Sequence, residues 1–281
     1  MAWDFSTEPE FQEQLDWMDT FVREEVQPLD LLWGDRVFHP LDPALRAIVD
    51  PLKHQVRDRG LWACHLGPEL GGQGYGQVKL ALMNEILGRS QWASVVFGTQ
   101  APDTGNAEII AHYGTDAQKR DYLEPLLSGE LFSAYSMTEP QGGSDPSLFE
   151  TRAIRDGDEW IIEGWKFFTS NARTAAFLIV MAVTDPDVEV YRGMSMFLVP
   201  TDTPGVRIVR NIGLMGERVP GSGRTPSSTT TRCGCPPTAC SGTRAGLSSS
   251  PRPGWAAGGS TTPCGPWGWP GRLSTCCASG R

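Results

Sequence analysis

Apolar residues recur at helical spacing over the first 130 residues of the chain and at strand spacing after that. Phe11, Leu15, Met18 and Val22 share one face of a first helix, with Ser6 and Thr7 as candidate caps and Pro9 near its first turn. Pro28 is expected to end it. A second helix is predicted over 43–59, striped by Leu45, Ile48, Val49, Leu52 and Val56 and stopped by Gly60. A glycine-rich loop at 67–76 leads to a third helix over 78–87, and a fourth apolar stretch starts near Trp92. Pro102-Asp103-Thr104-Gly105-Asn106 breaks that stretch before short helices at about 108–113 and 116–127.

Near residue 131 the period becomes two. Strands are predicted over 131–138, 150–154, 160–163, 165–169, 176–183, 193–199 and 206–209, punctuated by Asp156-Gly157-Asp158 and Thr203-Pro204-Gly205. Helices followed by a run of strands imply an α+β chain of segregated layers rather than βαβ units. The expected order is a helical domain at 1–130, a mostly antiparallel β-domain at 131–223, and an aberrant, disordered tail at 224–281.

The tail is set apart by composition. Residues 221–281 contain no Asp, Glu, Lys, Ile, Val, Met, Phe or Tyr, yet hold six of the seven cysteines. All 33 acidic residues lie before it, within a net charge of -9 that argues against a nucleic-acid binder. Cys233-Gly-Cys235 and Cys276-Cys277 invite a metal-knuckle reading. Zinc pairs are normally spaced two to four residues apart, and the tail has no His, so no metal is expected. The four histidines are scattered without ligand spacing, and Cys64-His65 are chain neighbours that rarely face each other. Gly71-Gly72-Gln73-Gly74 lacks the strand-to-helix setting of a dinucleotide fingerprint. No apolar run is long enough to span a bilayer and the start lacks a signal-peptide pattern, so the expected address is cytoplasmic.

Two stretches carry candidate chemistry. In Tyr135-Ser136-Met137-Thr138-Glu139-Pro140-Gln141-Gly142-Gly143-Ser144-Asp145 an extended segment runs into a glycine turn. Such a turn lets backbone approach a ligand, and the hydroxyls supply donors; on composition alone the stretch reads first as a plain polar hairpin turn between two strands. In Glu159-Trp160-Ile161-Ile162-Glu163-Gly164-Trp165-Lys166-Phe167-Phe168-Thr169-Ser170-Asn171 the pattern predicts strand, Glu163-Gly164 turn, strand. Alternation puts Trp165, Phe167 and Thr169 on one face, and Lys166, Phe168 and Ser170 on the other. Phe168 and Ser170 then offer an aromatic wall and a hydroxyl to a flat heteroaromatic ring, unless both faces simply pack in a sandwich.

The first stretch resembles the TEPGAGSD-type motif of the acyl-CoA dehydrogenases, and the second resembles that family's NG-x-K-x-x-x-T/S-N hairpin. Order and spacing match too, over residues 5–223. Ala101-Pro102-Asp103-Thr104-Gly105-Asn106 resembles a branch that in animals can be fused to a phosphotransferase-like domain. The resemblance implies FAD as cofactor and acyl-CoA as substrate, with electron-transfer flavoprotein as acceptor and a homo-oligomeric assembly. It places Tyr135, Met137 and Thr138 against the isoalloxazine, with Gly143 in the turn. Ser144 would touch flavin and acyl-CoA, Phe168 would stand beside the ring, and Ser170 near N5. Glu163 and Trp165 depart from the family's usual residues. The family's catalytic base is a carboxylate on a third, helical domain, and nothing here matches it; that domain is expected to be missing.

The genetic code bears on why. Ser260-Thr261-Thr262-Pro263-Cys264-Gly265-Pro266, read one frame over, permits Ile-His-His-Ala-Met-Arg-Thr, and the joined upstream string resembles a C-terminal helix of the family. From Arg224 the same shift permits a stretch like HAEVYDD, then VRVPAD and LLG, as a closing β-domain strand would read. A reading-frame shift near residue 224 is therefore expected, against the rival of a genuine low-complexity tail.

Overall fold

The computed structural model describes residues 6–38, 41–70, 72–157, 159–212, 228–234 and 273–275. Its described residues divide into two compact units at Gln100/Ala101.

In the first unit, α1 (Pro9–Phe21) runs through a π-helical turn (Val22–Val26) into α2 (Gln27–Trp33). Pro28 thus does not end the helix. It falls in the first turn of α2, where the π turn has already shifted the ladder and Gln27 N donates to Val22 O. Gly34, at φ +37°, ends it instead. Neither Ser6 nor Thr7 is the cap, a position that Glu8 holds without a side-chain bond. Helix α3 (Pro43–Asp58) starts as expected, with Asp42 accepting from Leu45 N at 2.9 Å, and stops before Gly60 at φ +69°. Of its predicted stripe, Ile48 is the exposed member. Helices α4 (Gly76–Leu87) and α5 (Ala93–Val96) complete a core around Met18, Val22, Val49, Val56, Met83, Trp92 and Phe97.

The second unit opens with α6 (Asp103–Tyr113), which begins five residues before the predicted start. The polar run that reads as a breaker is tied to the sheet. Asp103 Oδ1 accepts from Ser133 N at 2.7 Å and Ser133 Oγ at 2.5 Å, and Asn106 Nδ2 donates to Ser133 Oγ at 2.8 Å. A capping box at Thr115 and Gln118 starts α7 (Asp116–Gln118), and a π turn leads to α8 (Glu124–Ser128).

The strands are β1 (Ser133–Ser136), β2 (Arg152–Asp156), β3 (Glu159–Ser170), β4 (Phe177–Val183), β5 (Met194–Pro200), β6 (Val206–Ile212), β7 (Ser228–Gly234) and β8 (Leu273–Thr275). Their order is β6-β7-β3-β2-β4-β5-β8, with β1 paired parallel to β4. Pairs β2–β3, β3–β7, β4–β5 and β6–β7 are antiparallel. Strand β4 reads as one apolar run because both of its faces are covered. Phe177, Ile179 and Met181 meet the helix-side core with Ala107, Ile110 and Leu126, while Leu178, Val180 and Ala182 meet Trp160, Ile162 and Phe197. Within the tail, expected to be disordered, β7 and β8 are paired into the sheet; its other residues lie outside those described. Among the described residues no helix is long and apolar enough to cross a membrane.

Candidate functional site

Strand β1 presents the first motif. Ser136 is buried, while Tyr135 and Met137 are half-buried and pack against the helix-side core. A tight turn follows: Glu139 N donates to Gly142 O at 2.8 Å and Gly142 N to Glu139 O at 3.2 Å. Position 142 needs glycine, since a Cβ there would lie 2.7 Å from Leu148 Cβ. Ser144 stands exposed beyond the turn. Asp145 accepts from Ser147 Oγ at 2.6 Å and Ser147 N at 3.0 Å, capping the single 3-10 turn Pro146–Leu148 and holding its own carboxyl below the usual range.

The second motif is not a hairpin. Glu163-Gly164 lies inside one continuous strand, β3, paired with β2 on one side and β7 on the other. Gly164 is there for close packing: a Cβ would sit 2.3 Å from Thr151 Oγ1 and 2.7 Å from Thr151 Cα. The predicted alternation also fails beyond Lys166. Trp160, Ile162 and Lys166 are buried in strict period two, but the register then shifts and Phe168 adopts φ +56°. A bulge adds a residue and reverses the faces that follow. Thr169, expected beside Trp165, is buried, while Phe168 and Ser170 are exposed and no longer share a side with Lys166. Thr169 Oγ1 meets Ser136 Oγ at 3.0 Å, so the two motifs touch through buried hydroxyls.

The strongest polar feature was not foreseen. Lys166 and Glu139, 0% and 1% exposed, form an ion pair at 2.7 Å. Lys166 Nζ also donates to Met137 O at 2.9 Å and lies 5.0 Å above the Phe149 ring. Glu139 accepts from Gln141 Nε2 and Glu150 N, each at 2.6 Å, and from Thr151 N at 3.1 Å. Burial pushes the Glu139 carboxyl up, but the Lys166 charge and these hydrogen bonds outweigh it and hold the group below its usual range. A sequence signal existed: a Lys continues the parity of Trp160 and Ile162, and a charge at a buried position needs a partner.

Phe167 N donates to Thr138 O at 2.8 Å, so β3 lies directly against the segment that leaves β1. Gly143 adjoins Thr138, whose methyl carbon lies 3.5 Å from where a Cβ on residue 143 would be. Of the expected residues, Tyr135, Met137 and Thr138 thus sit on one chain segment and Phe168 and Ser170 on the one beside it. The Phe167 and Phe168 rings meet edge-on, with centroids 4.0 Å apart. Aromatic rings at Tyr135 and Phe168 and hydroxyls at Thr138, Ser144 and Ser170 have the chemistry to line a flat ring with polar edges. A groove of about 440 Å³ beside them is lined by Glu139, Gln141, Arg152, Glu163 and Trp165, among others, and by none of the seven expected residues.

Residues 8–130 match the family model described as acyl-CoA dehydrogenase, N-terminal domain, and residues 134–225 match acyl-CoA dehydrogenase, middle domain. The probable acyl-CoA dehydrogenase FadE2 of Mycobacterium tuberculosis is 39% identical over 205 residues, which is 71% of this chain and 50% of that protein. Acyl-CoA dehydrogenase family member 11 of Mus musculus is 39% identical over 188 residues, 66% of this chain and 22% of its own length. A solved putative acyl-CoA dehydrogenase from Mycobacterium abscessus superposes with a TM-score of 0.69 at 32% identity, covering 82% of this chain and 58% of that one. The chain therefore spans half or less of the curated relatives it matches.

Proposed function

Because the chain belongs to the acyl-CoA dehydrogenase family, we propose that it derives from an enzyme that removes hydrogens from the α and β carbons of an acyl-CoA thioester and passes the electrons to an electron-transfer flavoprotein. The family is FAD-dependent, and bound FAD would supply the hydride acceptor. In this reading Tyr135, Met137 and Thr138 form one wall for the isoalloxazine, Phe168 flanks it, and Ser170 donates to its edge. Gly143 lets the backbone close on it, and Ser144 faces the acyl-CoA side. The single observation that carries the reading is the contact of the two motifs, through the Phe167–Thr138 and Ser136–Thr169 hydrogen bonds.

The second half of the reading is that this polypeptide does not turn over. The family-model match ends at residue 225, where the composition changes, and residues 226–281 contain no Asp or Glu to serve as a catalytic carboxylate. We attribute the tail to a reading-frame shift near residue 224; genomic DNA holding stops, rather than family helices, in the neighbouring frame would sink that attribution. A cytoplasmic address and a homo-oligomeric ancestor complete the proposal. The test is a visible spectrum of the purified chain. A flavin band that an acyl-CoA series fails to bleach is expected. Bleaching would overturn the inactivity, and a colourless chain that takes up no added FAD would favour a non-binding product instead.

A further inference from the structure

Three consecutive residues, Met137, Thr138 and Glu139, are each fastened to β3. Lys166 Nζ donates to Met137 O at 2.9 Å and to Glu139 Oε1 at 2.7 Å, and Phe167 N donates to Thr138 O at 2.8 Å. The register shift begins immediately after Lys166. A bulge is where a strand can slip, since one residue of slip reverses every following side chain. A buried ion pair contributes little to stability compared with apolar residues of the same shape, because desolvation offsets its attraction. What such a pair can supply is a single geometry. Glu139 extends the brace, taking the Glu150 and Thr151 amides and so tying the turn to the segment that enters β2.

We infer that Lys166 and Glu139 are positioning residues: they set the spacing and register between Met137-Thr138 on one segment and Phe168–Ser170 on the other. This rests on the flavin reading above, in which those residues are the two sides of the ring site. Replacing both charges by neutral residues of similar shape would leave the sheet folded and release that spacing.

The full chain is compared with E139Q/K166M and with K166R. Urea midpoints report folding; added FAD is titrated by flavin fluorescence, and the visible circular dichroism of bound flavin is recorded. The double variant is expected to keep the parental urea midpoint, bind FAD at least tenfold more weakly and alter the visible dichroic band. Parental affinity and an unchanged band in a folded double variant would overturn the inference. Should the double variant not fold, K166R decides in the same way, because its guanidinium keeps the charge but moves the donors. Amide hydrogen exchange without FAD separates this idea from the flavin reading. Protection at 137–142 and 167–170 should fall at least tenfold in the variants while β4 and β5 keep theirs. Unchanged protection refutes the positioning role even if the parent chain binds no flavin, and a colourless parent with that local loss refutes only the flavin reading.

Discussion

Gly164→Ala is the sharpest test of the packing that carries β3. The added Cβ would lie 2.3 Å from Thr151 Oγ1, 2.6 Å from Thr151 Cβ and 2.7 Å from Thr151 Cα. Rotating the Thr151 side chain relieves only the first of these, because Cβ and Cα move with the backbone. That backbone is held on both sides: Thr151 N donates to Glu139, and Thr151 O accepts from Val183 N at 2.8 Å. Relief therefore parts β2 from β3 or breaks one of those bonds. Overpacking of this kind costs about 1–3 kcal/mol, and one lost hydrogen bond adds about 1 kcal/mol. The expected loss is thus about 2–4 kcal/mol, or roughly 5–15 °C in melting temperature for a chain of this size. Urea unfolding followed by circular dichroism at 222 nm measures it, with equal slopes confirming that stability alone has changed. A variant within about 0.5 kcal/mol of the parent would show that β2 and β3 do not approach as described.

Gly105 offers the opposite sign. It is exposed in α6 and a Cβ there meets nothing within 4 Å, so Gly105→Ala should stabilise by about 0.5–1 kcal/mol, read as a higher urea midpoint. Burial drives the His65 pKa down from 6.5 to about 4. The unfolded chain then takes up the proton first, and stability should fall by roughly 3 kcal/mol as pH drops through that window, with no contribution above it. His65→Leu should flatten the slope of urea midpoint against pH between 6.5 and 4; a slope unchanged by the substitution would assign it to other groups.

Element types were legible where a period ran unbroken, as in α3, and where a short apolar run was bounded by polar residues, as in β4. The errors share one cause, which is that local chemistry has a second use. Glu163-Gly164 has the composition of a turn, yet this Gly is spent on close approach to Thr151 within a long strand. Pro28 has the look of a terminator, but a π turn before it lets the helix continue. Asp103 and Asn106 read as breakers, although their side chains anchor α6 to Ser133. In the site, the residues flanking each motif could be named from the sequence, while the sides they occupy beyond Lys166 could not. A bulge leaves no local pattern of its own, and its φ of +56° falls on a Phe rather than a Gly. The Glu139–Lys166 pair joins positions 27 apart in the chain, beyond what any periodicity reports.

Strand β7 pairs with β3 on one side and β6 on the other, although it lies in the compositionally aberrant tail. A ladder is written in amides and carbonyls and is blind to the codon behind each residue. The β-branched run Thr229-Thr230-Thr231 suits a strand, and the long flank of β3 is covered instead of offering a bare edge to other chains. Helical layers have no such tolerance, because they are specified by which side chains recur every 3.6 residues. A sheet can thus take up residues of aberrant composition through its backbone alone, where a helical layer, specified by its side chains, could not.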